Sequence, residues 1–471
     1  MIGREMQMSQ MRETLSLNKS AFIAVTGRRR VGKTYLIEEM YKDRICFAVS
    51  GIQSGDTKTQ MVNFADKIQE YFAYTGELEY SNWQELFIVL KQKLQRLSKK
   101  RKQVIFLDEL PWMNTYKSGF IQLLAHLWND YLSKENHFIL VVCGSSTSWI
   151  NQKIVNDKGG FHNRLTHRIH LEPFTLAETK RFLLSKKINL TDTAITELYM
   201  AVGGIPFYLE HIKRGESVAA CIERMCFKTG GILKNEYENL YKAIFDNPVY
   251  HESVVSTLAL SKSGMTRKDI ISKSKVKAGG PIQRTLDELM ISGFIIEETR
   301  FGNKKRDSIY RLVDEYSVFY HRFIKNQRPV PSGHWHQIAQ SQSYKIWTGY
   351  AFESICLKHI DEIKKVLGIS KVYTESSTFR SVQENKGIQI DLLIDRKDSA
   401  INLCECKFYD APFEISKSYA SDLQNRKSWF KQATQTRKSL FTTLITNHPI
   451  KMNKYSLDVV DVAIHVAELM N

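Results

Sequence analysis

The sequence predicts an α/β protein built from more than one domain. Two apolar runs near the amino end read as buried parallel strands, one leading into a glycine-rich loop and one closing on paired carboxylates. A third observation lies at the far end, where a helix-like stretch precedes strand-like runs that carry acidic residues at period two. At 471 residues the chain has room for about three cores, and a 43% apolar fraction is ample to fill them.

Ala21 to Val25 reads as a strand and Tyr35 to Tyr41 as a helix. Between them Gly27-Arg28-Arg29-Arg30-Val31-Gly32-Lys33-Thr34 fits the phosphate-loop pattern G-x-x-x-x-G-K-[ST]. Gly27 and Gly32 carry no Cβ, so the main chain can curl and turn its N–H groups inward, and the following helix adds its positive end. Lys33 is expected to reach the β- and γ-phosphates of a nucleotide such as ATP, and the Thr34 hydroxyl to ligate Mg²⁺. The candidate nucleotide contacts run from Gly27 through Tyr35.

The second run, Val104-Ile105-Phe106-Leu107, ends at Asp108-Glu109. The carboxyl end of such a strand is where open α/β sheets bind ligands. Asp108 is therefore expected to hold Mg²⁺ through water and Glu109 to polarise the attacking water. Phe138 to Cys143 is another buried-strand run, and Ser145 or Ser146 beyond it either meets the γ-phosphate and its water or caps the next helix. Arg164 or Arg168 either serves as an arginine finger, on a neighbouring subunit of a homo-oligomer, or lies on an exposed strand face. Thr175 to Lys187 and Asp192 to Met200 read as helices, and Gly203-Gly204-Ile205-Pro206 as a fixed bend.

The phosphate loop, the opening Ile2-Gly3-Arg4-Glu5, the Asp108-Glu109 strand and the Gly203-Gly204-Ile205-Pro206 segment together resemble the archaeal-type ATPases of the AAA+ and STAND branch of P-loop NTPases. The resemblance spans roughly Met1 to Asn235. It implies a nucleotide-hydrolysing core over residues 1–178 and a helical lid over 179–240. It also implies that the opening Gly-Arg-Glu lies near the adenine, and that the turn at Pro206 senses the bound nucleotide.

Residues 241–328 read as a winged helix-turn-helix. Val254 to Leu260, Thr266 to Ile271 and Pro281 to Ser292 are its helices, with Ile282, Leu286 and Leu289 on one face of the last. Phe294 to Arg300 and Ser308 to Leu312 are its strands, around the basic turn Lys304 to Arg306. Either Gln283 and Arg284 meet DNA in a groove with Lys304 to Arg306 on the backbone, or the module packs between domains. Pro329-Val330-Pro331-Ser332-Gly333 reads as a linker.

Residues 340–471 form the last predicted domain. Trp347 to Ile360 reads as a helix with Glu353 at the edge of its apolar stripe. Ile388 to Ile394 is a strand whose period places Ile388, Ile390, Leu392 and Ile394 on one face and Asp391 on the other. Ile401 to Phe408 is a strand on which Glu405 and Lys407 share a face, while Cys404 and Cys406 point into the core. Two carboxylates on adjacent strands suit Mg²⁺, a hard ion that prefers oxygen. The order helix-Glu, strand-Asp, strand-Glu-x-Lys resembles the PD-(D/E)XK nucleases. That resemblance implies a restriction-endonuclease-like fold, with catalytic roles at Asp391, Glu405 and Lys407 and metal contacts from Asp391, Glu405 and Glu353.

A net charge of +17 favours a polyanionic partner such as DNA. Seven cysteines follow no disulfide or zinc spacing, and the absence of an apolar leader or spanning stretch points to the cytoplasm. The functional expectation is an ATP-hydrolysing protein whose nucleotide state controls a nucleic-acid-directed activity, with metal-dependent cleavage at the far end. The alternative is an ATP-gated DNA-binding regulator or a signalling switch with an inactive nuclease fold.

Overall fold

Five apolar runs build a parallel sheet in the first part of the computed structural model, which describes residues 1–74, 76, 78–245, 247–261, 263–303, 307–326, 333–383 and 386–471. They are β1 (Ala21–Gly27), β2 (Ile45–Ser50), β3 (Gln103–Asp108), β4 (Phe138–Gly144) and β5 (His167–Leu171). Their order is β2-β3-β4-β1-β5, and every pairing is parallel. β1 and β4 are buried at every position, as strands covered on both faces must be. An aromatic cluster fills one side: Trp83 stands 4.6 Å from Phe120 and 5.3 Å from Phe64, edge-on in each case. Helices Thr57–Tyr71 and Trp83–Gln95 start cleanly because Asp56 and Asn82 cap them, accepting from the N–H of Thr59 and Glu85.

The chain divides into two compact units, Met1–Pro173 with Leu240–Pro248, and Phe174–Asn239 with Val249–Asn471. The second opens with helix Leu176–Ser185, held by a reciprocal capping box between Thr175 and Glu178. Helix Asp192–Val202 then stops at Gly203, where φ is 67°. At Gly204 a Cβ would lie 1.9 Å from the Phe174 carbonyl oxygen, because the Phe174 N–H donates to the Gly204 carbonyl at 2.7 Å. Pro206 opens helix Pro206–Glu210, where its missing N–H costs nothing. The Gly-Gly-x-Pro bend is thus fixed by a close main-chain approach.

Three helices, Val249–Leu258, Arg267–Lys273 and Gly280–Ile291, follow with β6 (Met265–Thr266), β7 (Ile295–Glu298) and β8 (Ile309–Leu312). These strands form an antiparallel sheet of order β6-β8-β7. β6 escapes a reading by pattern because two residues carry no period. Lys304 to Arg306 and Pro329 to Ser332 lie outside the described residues.

The last sheet comprises β9 (Thr374–Gln383), β10 (Lys386–Arg396), β11 (Ala400–Lys407), β12 (Ser439–Thr446) and β13 (Val462–His465), in order β13-β12-β11-β10-β9. β9, β10 and β11 are antiparallel, whereas β12 runs parallel to both β11 and β13. Helix Gln342–Lys358 precedes the sheet and helix Lys417–Thr434 carries the crossover from β11 to β12. One expectation is corrected here. β10 does not keep period two, because its register shifts between Ile390 and Leu393. Leu393 joins Ile388 and Ile390 in one apolar cluster, with Leu403 and Phe430, and Leu392 and Ile394 are not in it. Asp391 sits at this bulge, a device that re-aims side chains.

His359 ties the far helix to the start of the unit. Its Nε2 accepts from the Leu176 N–H at 3.0 Å, so Nδ1 holds the proton and donates to the Ile355 carbonyl at 2.8 Å. Burial pushes this imidazole down to about 4. Between its ordinary 6.5 and about 4 the unfolded chain therefore binds a proton that the fold refuses. Stability of the second unit is expected to fall as pH drops through that window. His359→Gln should flatten the decline, read as unfolding midpoints from pH 7 to pH 4.

Candidate functional site

The parallel strand order decides what meets at the carboxyl edge of the first sheet. β4 lies between β1 and β3, so the residue leaving β4 stands between the loop after β1 and the acids after β3. The loop itself turns on Gly27, Arg30 and Gly32, with φ of 140°, 70° and 90°. A Cβ at Gly27 would lie 2.3 Å from the Leu171 carbonyl oxygen, so glycine is required there. Helix Lys33–Tyr41 begins directly after the turn. Tyr41 anchors it, donating to the Met11 carbonyl at 3.1 Å and meeting the Thr14 hydroxyl at 2.8 Å. Arg4 reaches the loop as well, donating to the Val31 carbonyl at 3.3 Å.

Lys33 is 5% exposed, and its ammonium donates to the carbonyls of Gly27 and Arg28 at 3.0 Å each and to the Ser145 hydroxyl at 3.2 Å. The Thr34 hydroxyl donates to Asp108 Oδ2 at 2.9 Å. Ser145 donates its hydroxyl to Glu109 Oε1 at 2.6 Å and its N–H to Oε2 at 2.9 Å. Glu109 leaves β3 at φ 44°, a left-handed turn that swings it toward β4. The Cys143 thiol donates to Asp108 Oδ1 at 2.6 Å, and burial pushes that thiol well up. Lys33, Ser145 and Glu109 thus form one chain of contacts beside the Thr34–Asp108 bond. Ser145 is the serine that joins it; Ser146 precedes the short helix Thr147–Ile150 without a side-chain capping bond. Tyr35 is 59% exposed. Arg28 is buried, while Arg164 and Arg168 are exposed. Pro206 belongs to the second unit.

The far sheet collects a second set. Leu392 opposite Cys404 makes Asp391 and Glu405 neighbours across β10 and β11. Asp391 Oδ2 accepts from the Cys406 N–H at 3.1 Å. Lys407 Nζ stands 2.6 Å from Glu405 Oε1 and 4.0 Å from Asp391 Oδ2. Arg426, on helix Lys417–Thr434, donates to both oxygens of Glu405 at 2.6 and 2.7 Å. Glu353 Oε2 lies 4.0 Å from Arg311 Nη1. Burial, then the Glu405 charge, pushes Asp391 up to about 6. Burial, then the Asp391 charge, pushes Glu353 up to about 8. Burial works against the Lys407 ammonium, yet Glu405 and Asp391 outweigh it and hold the lysine above its ordinary range. Among the described residues no group of three or more His, Cys, Asp or Glu is arranged to hold a metal ion. Arg426 was not foreseen from the sequence. It is four residues before buried Phe430 and three after buried Leu423, an arginine inside an apolar helix stripe.

Gln283 and Arg284 bond within their own helix, to Asp287 at 2.9 Å and Glu288 at 2.9 Å. All seven cysteines are free thiols. Among the described residues no helix is long and apolar enough to cross a membrane.

Comparison with known proteins bears on the first set. Residues 1–212 match the family described as an ATPase domain predominantly from Archaea. Over these residues the chain is similar to archaeal-type ATPase domains. An uncharacterized protein of Methanocaldococcus jannaschii is 23% identical over 429 residues, 90% of this chain and 91% of its own. The Walker-type ATPase of Pyrococcus abyssi superposes with a TM-score of 0.50 at 17% identity, over 69% of this chain and 96% of that one. The ORC2 protein of Aeropyrum pernix, solved as ADPNP-ADP complexes, gives a TM-score of 0.42 at 12% identity, over 67% and 90%. The likeness to the Pyrococcus protein is one of fold, over 69% of this chain.

Within the ATPase domain, Lys33→Ala is expected to abolish ATP turnover. Glu109→Gln should keep nucleotide binding and lower turnover by roughly 10²-fold or more, measured as phosphate release beside nucleotide titration. In the far sheet, Arg426→Ala leaves a buried carboxylate short of donors and should cost about 1–3 kcal/mol in denaturant unfolding. Adding Glu405→Gln should recover part of that loss.

Proposed function

We propose that the protein binds and hydrolyses ATP at Gly27 to Thr34 and uses the nucleotide state to control an activity directed at nucleic acid. The observation that carries the reading is the continuous contact from Lys33 through Ser145 to Glu109, beside the 2.9 Å bond between Thr34 and Asp108. Thr34 and Asp108 are oxygen donors that suit Mg²⁺, which supplies charge neutralisation on the phosphates when bound. Lys33 holds the β- and γ-phosphates, with Arg28, Arg29, Arg30, Val31 and Gly32 offering main-chain N–H groups. Glu109 takes the proton of the attacking water, and Ser145 fixes that carboxylate until the water is in place. Arg4 borders the nucleotide and Pro206 reports on it from the lid.

The region beyond the lid supplies the effector: a winged helix at 241–328 and a PD-(D/E)XK-like domain at 340–471 with Asp391, Glu405 and Lys407 in the catalytic positions and Glu353 on the helix. The net charge of +17 supports a nucleic-acid partner. As arranged, the carboxylates do not fit a divalent ion, because Arg426 and Lys407 already neutralise Glu405. That observation favours a second reading of the effector, a nucleic-acid-binding regulator whose nuclease fold is silent. Incubating wild type and Asp391→Ala with linear and supercoiled DNA in Mg²⁺ separates the two. Cutting lost in the variant establishes the nuclease. Salt-sensitive retention without cutting establishes the regulator, and neither result sinks both.

A further inference from the structure

The first unit carries a cavity of about 800 Å³ at the edge of its sheet away from the phosphate loop. Its walls come from the segments that precede the strands: Leu15 to Asn18 ahead of β1, Arg44 ahead of β2, Lys99 to Lys102 ahead of β3, and Lys134 to His137 ahead of β4. In a parallel sheet these are the amino ends. The phosphate loop leaves the opposite end of β1, whose length separates the two by about 20 Å.

Six cations line this cavity, Arg44, Lys99, Lys100, Arg101, Lys102 and Lys134, against the single carboxylate of Glu135. Glu135 is taken by Lys99 at 2.9 Å, and Lys134 turns to Asp130 at 3.3 Å. Arg44, Lys100 and Arg101 have no ion-pair partner among the described residues. Lys102 is 8% exposed, and its ammonium rests on the carbonyls of Lys19 at 2.8 Å and Asn136 at 2.7 Å, so its charge stays uncompensated. Four segments distant in sequence thus bring like charges into one concavity, which costs free energy until an anion enters. The hydroxyl of Ser16 and the amides of Asn18 and Asn136 stand beside the cations, a mixture suited to phosphate and sugar oxygens.

We propose that this cavity binds the phosphodiester backbone of nucleic acid, without reading sequence, as a second anion site on the ATPase domain. The proposal deepens the nucleic-acid reading given above and rests on it. It places the polymer against the back of the nucleotide-binding sheet, so that backbone and ATP occupy opposite ends of the same strands.

The test is fluorescence anisotropy with a labelled single strand and a labelled duplex, in EDTA so that cleavage is silent. Wild type is compared with Arg44→Glu/Lys100→Glu/Arg101→Glu in the full chain. The expected result is a loss of affinity of about tenfold or more, and a salt slope reduced by about 2–3 from the three phosphate contacts removed. ATP turnover of the variant reports its folding, and the milder Gln replacements at the same positions should give a smaller loss of the same sign. Equal binding by wild type and triple variant overturns this site and leaves the nucleic-acid reading standing. Failure of wild type to bind either oligonucleotide overturns both. Tripolyphosphate binding that the triple variant loses, with no oligonucleotide binding, assigns the cavity to a small polyphosphate and overturns the proposal.

Discussion

The position of β4 between β1 and β3 is the constraint on which the contacts around the phosphate loop depend. Parallel strands deliver their following residues to one edge, and this order makes Ser145 the bridge between Lys33 and Glu109. The lysine alone would be a buried ammonium facing two carbonyls. With Ser145 and Glu109 in line, its positive charge has a route to a carboxylate through one hydroxyl, which lowers the cost of holding it 5% exposed. Asp108 is set by the same register, with the Cys143 thiol on one oxygen and Thr34 on the other.

The far sheet solves a different electrostatic problem. Asp391 and Glu405 are brought together by antiparallel pairing in a buried place, where two negative charges repel. Two cations converge on Glu405, and Asp391 is left to rise in proton affinity. Arg311 extends the arrangement into the small sheet. It is 6% exposed, with Glu298 at 3.4 Å across the β7–β8 pair and Glu353 at 4.0 Å on the helix. Breaking such buried pairs costs more than forming them gains. The three-helix module is therefore joined by charge to helix Gln342–Lys358, and to the last sheet by the Phe301 N–H, which donates to the Thr378 carbonyl at 2.8 Å.

What could be read from the sequence follows from how local each cause is. The phosphate loop was legible because one turn of chain supplies its whole geometry, and Asp108-Glu109 because a buried strand is a continuous apolar run. Ser145 was legible only as one of two serines, since the choice depends on which neighbour β4 has in the sheet. The alternation over Ile388 to Ile394 misled because the bulge beside Asp391 leaves no mark in the hydrophobic pattern. Arg426 was hidden because its partner Glu405 lies 21 residues back, across a strand-to-helix crossover. Along the chain, Lys99 to Lys102 is only a basic run ahead of a strand. Its convergence with Arg44 and Lys134 exists only once β2, β3 and β4 are side by side.

A short stretch of main chain links the two glycine contacts that matter most. Gly27 admits the Leu171 carbonyl oxygen at the end of β5, so the phosphate loop cannot change shape there without moving Leu171. Only Glu172 and Pro173 separate Leu171 from Phe174. Phe174 is held on its other side by Gly204, through its N–H at 2.7 Å, and by the Tyr199 hydroxyl, which donates to its carbonyl at 2.8 Å. Proline stiffens the middle of this tether by fixing its own φ. Four residues of backbone, Leu171 to Phe174, thus run from the carbonyl that excludes a side chain at Gly27 to the one that excludes it at Gly204. Both ends exclude a Cβ for the same reason, a carbonyl oxygen occupying the space. Glycine at both positions is what leaves room for these carbonyl oxygens.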